Sequence, residues 1–163
     1  MALFGNSRDI AFIKNINREL LDDVIQQEVD FYQLSLQDTE TNLYGEAPGG
    51  KVYHRPVRLT CLITRGDIEA VADEQFGIDQ SQQTSFAFLK PKLRDLNLVP
   101  QVGDIIENRG IYYEVDNVNE NQYVVGKDGD YSKNVGSEFG ESLSLICQTH
   151  YARVSRLQIV KSR

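Results

Sequence analysis

Val102-Gly103-Asp104-Ile105-Ile106-Glu107, then Asn108-Arg109-Gly110, then Ile111-Tyr112-Tyr113-Glu114-Val115-Asp116-Asn117-Val118 is the stretch that decides the fold class. Two runs rich in β-branched and aromatic residues flank a short polar turn that ends in glycine, which is the pattern of a β-hairpin. A second polar turn, Asn119-Glu120-Asn121, leads into Gln122-Tyr123-Val124-Val125-Gly126. Three short strands joined by tight turns make a meander.

Toward the C-terminus, residues 127–141 are polar and glycine-rich and read as a long loop, and 142–151 and 154–160 read as closing strands. Toward the N-terminus, Thr84 to Leu89 is a strand that stops at Pro91, and Lys92 to Leu98 is a helical turn. Pro56 to Arg65 is a strand opened by a proline, where one is tolerated. Asp67 to Asp79 holds Asp67, Glu69, Asp73, Glu74 and Asp79 with no base, so it is expected as a solvated helix or loop. Residues 37–55 have no sustained period and contain Gly45, Pro48, Gly49 and Gly50; loops of that length in compact domains tend to be functional or disordered. Glu28 to Leu36 alternates by two and reads as a strand.

From Asp9 to about Val24, Ile10, Ile13, Ile16, Leu20 and Val24 recur at steps of three and four, which predicts an amphipathic helix with one buried stripe. Asn6 or Ser7 can cap it, and Asp9 suits the positive end of its dipole. The fold class is therefore mainly β: a small antiparallel β-barrel or sandwich with an N-terminal amphipathic helix and two long loops. At 163 residues the chain is expected as a single domain, with an arm and helix over 1–26, a β core over 28–160 carrying excursions at 37–55 and 127–141, and a basic end over 153–163.

Seventeen Lys and Arg against 24 Asp and Glu give a net charge of −7, the wrong sign for a protein that grips nucleic acid by neutralising phosphates. The apolar runs are far shorter than the roughly 18 residues needed to cross a bilayer, and no basic region precedes an apolar one at the start. No membrane association is expected, and synthesis in a cytoplasm is. Cys61 and Cys147 each sit in an apolar stretch and form no CxxC, which points to buried reduced thiols.

Gly45-Glu46-Ala47-Pro48-Gly49-Gly50-Lys51 has the spacing of a phosphate-binding loop, but Val52 stands where Ser or Thr should hold magnesium. Val52-Tyr53-His54-Arg55-Pro56 also cannot open the helix that such a loop requires. Asp128-Gly129-Asp130-Tyr131-Ser132 begins like a calcium loop, yet Lys133 replaces the turn glycine and Phe139 the bidentate Glu, so a solvated acidic turn is the reading. His54 and His150 lie nearly a hundred residues apart and read as polar residues at strand ends. No catalytic group, cofactor site or metal site emerges, and the chain is not expected to be an enzyme.

What remains is a binding face. Tyr44, Tyr53, Tyr131 and Tyr151 fall on loops or strand ends, and tyrosine supplies interface area at low entropic cost. Glu46, Lys51 and His54 share the first long loop, and Arg156, Lys161 and Arg163 belong to the basic end. These ten residues are the candidate interface. An acidic middle and a basic end suit head-to-tail self-association or docking on an oppositely charged neighbour.

Asn42-Leu43-Tyr44-Gly45-Glu46-Ala47, the Pro56-Val57-Arg58-Leu59 strand, Glu74-Gln75-Phe76-Gly77, the hairpin from Gly103-Asp104-Ile105-Ile106 to Tyr113-Glu114-Val115 and the Asn121-Gln122 turn carry a further signal in their order. Over most of its length the chain resembles the neck, or head-completion, proteins of T-even-like contractile-tailed bacteriophages. The resemblance implies a virion protein, assembled in the host cytoplasm, that forms a ring of six copies, with twelve as the alternative. Such a ring meets a portal or adaptor protein above and a tail terminator or tail protein below. It closes the filled head while the genomic DNA passes through without sequence-specific contact. The alternatives are another ring-forming tail component, a tail terminator or baseplate piece, and a small ligand-binding β-barrel.

Overall fold

The computed structural model describes residues 7–40, 42–44, 47, 49–73, 77–120, 142–152 and 157–158. The strand expected at 122–126 and the loop at 127–141 lie outside them.

The predicted first helix is present as α1 (Ser7–Glu19), continued by a π-helical turn, Leu20–Ile25. Gln26 ends the turn in the left-handed region (φ 50°), and its N–H donates to the Leu21 carbonyl at 3.0 Å. Here the structure corrects the expectation of a buried stripe: Ile16, Leu20 and Val24 are exposed, and Leu21, off the stripe, is the buried residue of the turn.

Among the described residues nine strands follow: β1 (Glu28–Tyr32), β2 (Lys51–Val52), β3 (Val57–Thr60), β4 (Leu62–Asp73), β5 (Gly77–Leu89), β6 (Ile105–Asn108), β7 (Ile111–Glu120), β8 (Ser144–Tyr151) and β9 (Leu157–Gln158). A short helix, α2 (Lys90–Asp95), follows β5; it begins two residues before the expected Lys92 and takes Pro91 into its first turn. Seven strands form one sheet in the order β3-β1-β6-β7-β8-β5-β4, each antiparallel to its neighbours.

That order holds the closure of the fold. In an antiparallel sheet of seven strands the first and last run the same way, and here they are consecutive in the chain, separated only by Cys61. Thr60 pairs with Glu28 on one edge, and Leu62 pairs with Ala87 on the other. Adjacent Cα atoms lie about 3.8 Å apart, so the sheet must curl until its edges meet at Cys61. The result is a small antiparallel barrel in which β3 and β4 are one strand that changes partner part-way. The Cys61 N–H donates to the Gln27 carbonyl at 2.9 Å and carries the β3–β1 ladder across the change.

Alternation then sorts the side chains. Val29, Phe31, Leu59, Cys61, Phe86, Phe88, Ile106, Tyr113, Val115 and Cys147 fill the interior. Phe31 meets Phe88 edge-on with ring centroids 6.0 Å apart, and Phe86 meets Tyr113 at 5.3 Å. On the opposite face of β1, β6 and β7 a second cluster gathers Tyr32, Ile105, Tyr112 and Ala152 under Tyr53 and Leu157. Its cover is a parallel pair, β2 with β9, together with a bridge between Leu34 and Tyr53. The end of the predicted 37–55 loop is therefore sheet, because Lys51 to Tyr53 roof an apolar patch that would otherwise face water.

Asp67 to Asp79 is a second correction. Asp67–Asp73 and Gly77–Asp79 are strand, not helix or loop: β4 and β5 stay paired from Leu62↔Ala87 to Asp73↔Gly77, and β5 begins seven residues before the expected Thr84. Pairing of β5 with β8 spans only Thr84 to Leu89. Beyond it, Ile68–Asp73 and Gly77–Gln82 form a two-stranded arm, about 20 Å long at 3.3 Å per residue. A bulge between Arg65 and Ile68 marks its base, and there a Cβ on Gly66 would come 3.1 Å from the Gln83 carbonyl oxygen.

Candidate functional site

The loop signals resolve residue by residue. Tyr44 is 89% exposed beside the fully exposed Leu43, and its N–H donates to the Asn42 side-chain carbonyl at 2.9 Å. Tyr151 stands exposed at the end of β8, and His54 is exposed, its N–H donating to the Gln33 carbonyl. Lys51 and Tyr53 act inside the fold. The Lys51 ammonium meets the Glu114 carboxylate on β7, and the Tyr53 ring covers the second cluster with its hydroxyl buried and without a partner among the described residues. Burial, with Glu114 and Asp104 nearby, raises the Tyr53 phenol above its ordinary range. Glu46, Tyr131, Arg156, Lys161 and Arg163 lie outside the described residues.

The phosphate-loop spacing has the wrong surroundings. Gly50 turns the chain at φ 92°, its N–H donating to the Ala47 carbonyl at 3.0 Å, and Lys51 and Val52 enter a strand. The Val52 N–H donates to the Thr39 hydroxyl. The chain after the turn is therefore strand and not the helix that such a loop requires. Cys61 and Cys147 are buried in the interior, and burial pushes each thiol up to about 12, far from the range of a nucleophile. The His150 Nδ1 sits 2.6 Å from the Asp116 carboxylate where β7 bulges against β8, exposed on both sides. Among the described residues no three His, Cys, Asp or Glu side chains gather as a metal site would require.

One buried carboxylate organises the end of the barrel where β6 begins. Asp104 follows Gly103, which takes φ 93° and gives its N–H to the Val115 carbonyl at 2.9 Å. The Asp104 side chain is 1% exposed and accepts the N–H groups of Leu34 at 2.8 Å and Gln101 at 2.7 Å. Burial raises its pKa, and the two N–H bonds oppose the rise. Such a group ties two loops together.

The surface that sequence reasoning misplaced is the helix. Phe12, Ile16, Leu20 and Val24 recur at steps of four with exposures of 64%, 46%, 46% and 72%, so the apolar stripe faces outward. The helical segment is fastened at its C-terminal turn. Lys92 Nζ lies 2.8 Å from the Asp22 carboxylate and donates to the Thr60 hydroxyl at 2.8 Å, and that hydroxyl donates to Asp22. Hydrogen bonds from Lys92 and Thr60 hold the Asp22 carboxyl below its ordinary value. Two grooves flank the helix. One, of about 510 Å³, lies between Leu20, Leu21 and Ile25 and the outer face of β4, β5 and β8 at Leu62, Ala87 and Ile146. The other, of about 470 Å³, runs from Lys14 and Arg18 to Pro91, Lys92 and Leu96.

The described residues thus form a barrel with an apolar stripe exposed on its helix and a two-stranded arm whose sequence is rich in acids. Comparison with known proteins leaves the functional reading to the geometry: the chain matches no family model and none of the curated proteins against which it was compared.

Proposed function

We propose that the chain is a structural protein of the neck of a contractile-tailed phage, one subunit of a ring that closes the DNA-filled head and gives the tail its docking platform. The observation that carries this reading is the pair of projections. A helix stripe of four exposed apolar side chains and an arm reaching about 20 Å past the β8 pairing are surfaces for neighbours. The order of motifs that resembles the neck family supports the same assignment. A portal or adaptor above, a tail terminator or tail protein below and further copies beside it are the partners. A net charge of −7, with five acids and no base from Gly66 to Leu89, suits a wall past which DNA slides without sticking.

The test is the location of the protein in fractionated particles. Filled heads that lack tails are expected to retain it. Recovery on free tails alone would make it a tail terminator or baseplate component. Absence from both, with a free monomer stabilised against heat by a metabolite, would overturn the virion reading. A lumen lined by the basic residues of 153–163 would remove the argument from sliding.

A further inference from the structure

Two features on opposite walls of the barrel fit each other. On the wall of β1, β6 and β7, the excursion that follows β1 is tied at its base to β2, which roofs the second cluster. The Ser35 N–H donates to the Val52 carbonyl at 2.9 Å, and the Val52 N–H donates to the Thr39 hydroxyl at 3.1 Å. Beyond that base the chain carries Leu43 and Tyr44 into solvent, where neither side chain is covered by the barrel. The Asn42 side-chain carbonyl accepts the Tyr44 N–H, an Asx turn that sets the backbone of the pair in advance. An aliphatic and an aromatic side chain, adjacent, uncharged and presented on a turn, make an interface anchor, and tyrosine is among the residues that most often carry binding energy.

The other wall is β4, β5 and β8, and its central strand, β5, lies three strands from β6 in the closed order of seven. Between its outer face and the helix runs the groove of about 510 Å³. Leu20, Leu62, Ala87 and Ile146 give it an apolar floor, Asn17, Thr64, Ser85 and Gln148 add neutral polar groups, and no charged residue lines it. Leu20 and Leu62 are close to half exposed, so the floor faces water. The chemistry of groove and loop matches. The floor suits Leu43 and the Tyr44 ring, the neutral polar groups suit the phenol hydroxyl, and neither side brings an ion that must lose its water. The surroundings match in charge as well. Residues 36–50 hold three acids and no base, whereas the helical segment 7–25 and α2 together hold six bases and five acids in a chain of net charge −7.

We propose that Leu43 and Tyr44 of one copy seat in the groove between the helix and the β4–β5–β8 wall of the next copy. Loop and groove are different surfaces on opposite sides of one chain, so the contact is heterologous and repeats from copy to copy until a ring closes. The proposal rests on the ring reading above and names the surfaces that would build the ring.

Mixing two variants tests it. Leu43→Asp with Tyr44→Asp removes the anchor and keeps the groove, and Leu62→Glu charges the groove floor and keeps the anchor. Each variant alone is expected to sediment as a monomer at concentrations where the wild type associates, while thermal melting shows a folded barrel. The two in equal amounts are expected to form a dimer and nothing larger, because one anchor and one groove remain. Tyr44→Ala is expected to weaken self-association about tenfold or more. Photo-crosslinking supplies a second measurement that leaves the groove unaltered, and it decides the matter if Leu62→Glu fails to fold. Tyr44→p-benzoylphenylalanine, irradiated, is expected to join a second copy within 62–64, 85–87 or 146–148. A wild type that stays monomeric across the concentration series, a mixture that stays monomeric, self-association unchanged by loss of the anchor, or crosslinks confined to another face would overturn the contact. If tailless filled heads hold the protein while the crosslinks fall elsewhere, the neck reading stands and this contact falls. If mixing and crosslinking behave as expected while heads lack the protein, the contact stands and the neck reading falls.

Discussion

Asp104 shows how one side chain organises a barrel end. Its carboxylate satisfies two backbone N–H groups, at Leu34 and Gln101, that reach it from separate loops, and its own backbone C=O accepts from Val115. Asp104→Ala leaves two donors buried without partners, so chemical unfolding is expected to show a loss of about 3 kcal/mol, and Asp104→Asn a smaller one, because it keeps one acceptor oxygen. A loss below about 0.5 kcal/mol would mean that water replaces the carboxylate. Asp22 gives a prediction in pH. Hydrogen bonding to Lys92 and Thr60 lowers its folded-state pKa, so its stabilising contribution is present above the ordinary carboxylate value of about 3.9 and is lost as pH falls through the lower folded value. Lys92→Met removes the partner. The stability difference between Lys92→Met and wild type, read from urea midpoints, is expected to shrink as pH falls well below about 3.9, and a constant difference would show that Lys92 acts through packing.

At the scale of elements, the helix separates pattern from partner. Substituting Phe12→Lys or Ile16→Lys is expected to change the stability of the isolated monomer by no more than about 0.5 kcal/mol, as for exposed positions. Leu21→Ala, at a buried position of the same segment, is expected to cost about 2 to 3 kcal/mol. Equal costs in thermal melts would show that the stripe is core after all. A period of 3.6 in a sequence announces an apolar stripe and says nothing of what covers it, which is why the helix was legible and its burial was not. The Ile105–Val115 hairpin was legible because β-branched and aromatic residues alternate around a glycine turn. The arm was not, since its alternation sets small and neutral residues against acids, and Asp, Glu, Gln and Gly are poor strand formers. Lys51 and Tyr53 looked like loop residues because the second cluster they serve is assembled from Tyr32, Ile105 and Tyr112, distant in sequence.

For the whole molecule the decisive feature is the change of partner at Cys61. Pro56 to Arg65 reads as one strand, and the backbone keeps one direction through it, but Val57–Thr60 pairs with β1 and Leu62 onward with β5. One residue thus joins the two edges of a seven-stranded sheet, so parting the barrel at that seam breaks the β3–β1 or the β4–β5 ladder. The two thiols sit well for watching this. Cys61 lies on the seam, Cys147 lies on β8, two strands away across β5, and both are fully buried with pKa values pushed up to about 12. A thiol in that state reacts only when an opening exposes it, and openings in folded proteins range from local fraying to global unfolding. If the seam holds as the ladders imply, a thiol reagent in excess is expected to label Cys61 and Cys147 with one common rate, equal to the rate of global unfolding measured under the same conditions. Labelling of Cys61 ahead of Cys147 would show that the barrel first parts where its strand changes partner. In that case the seam, and not the sheet, would set the kinetic lifetime of the fold.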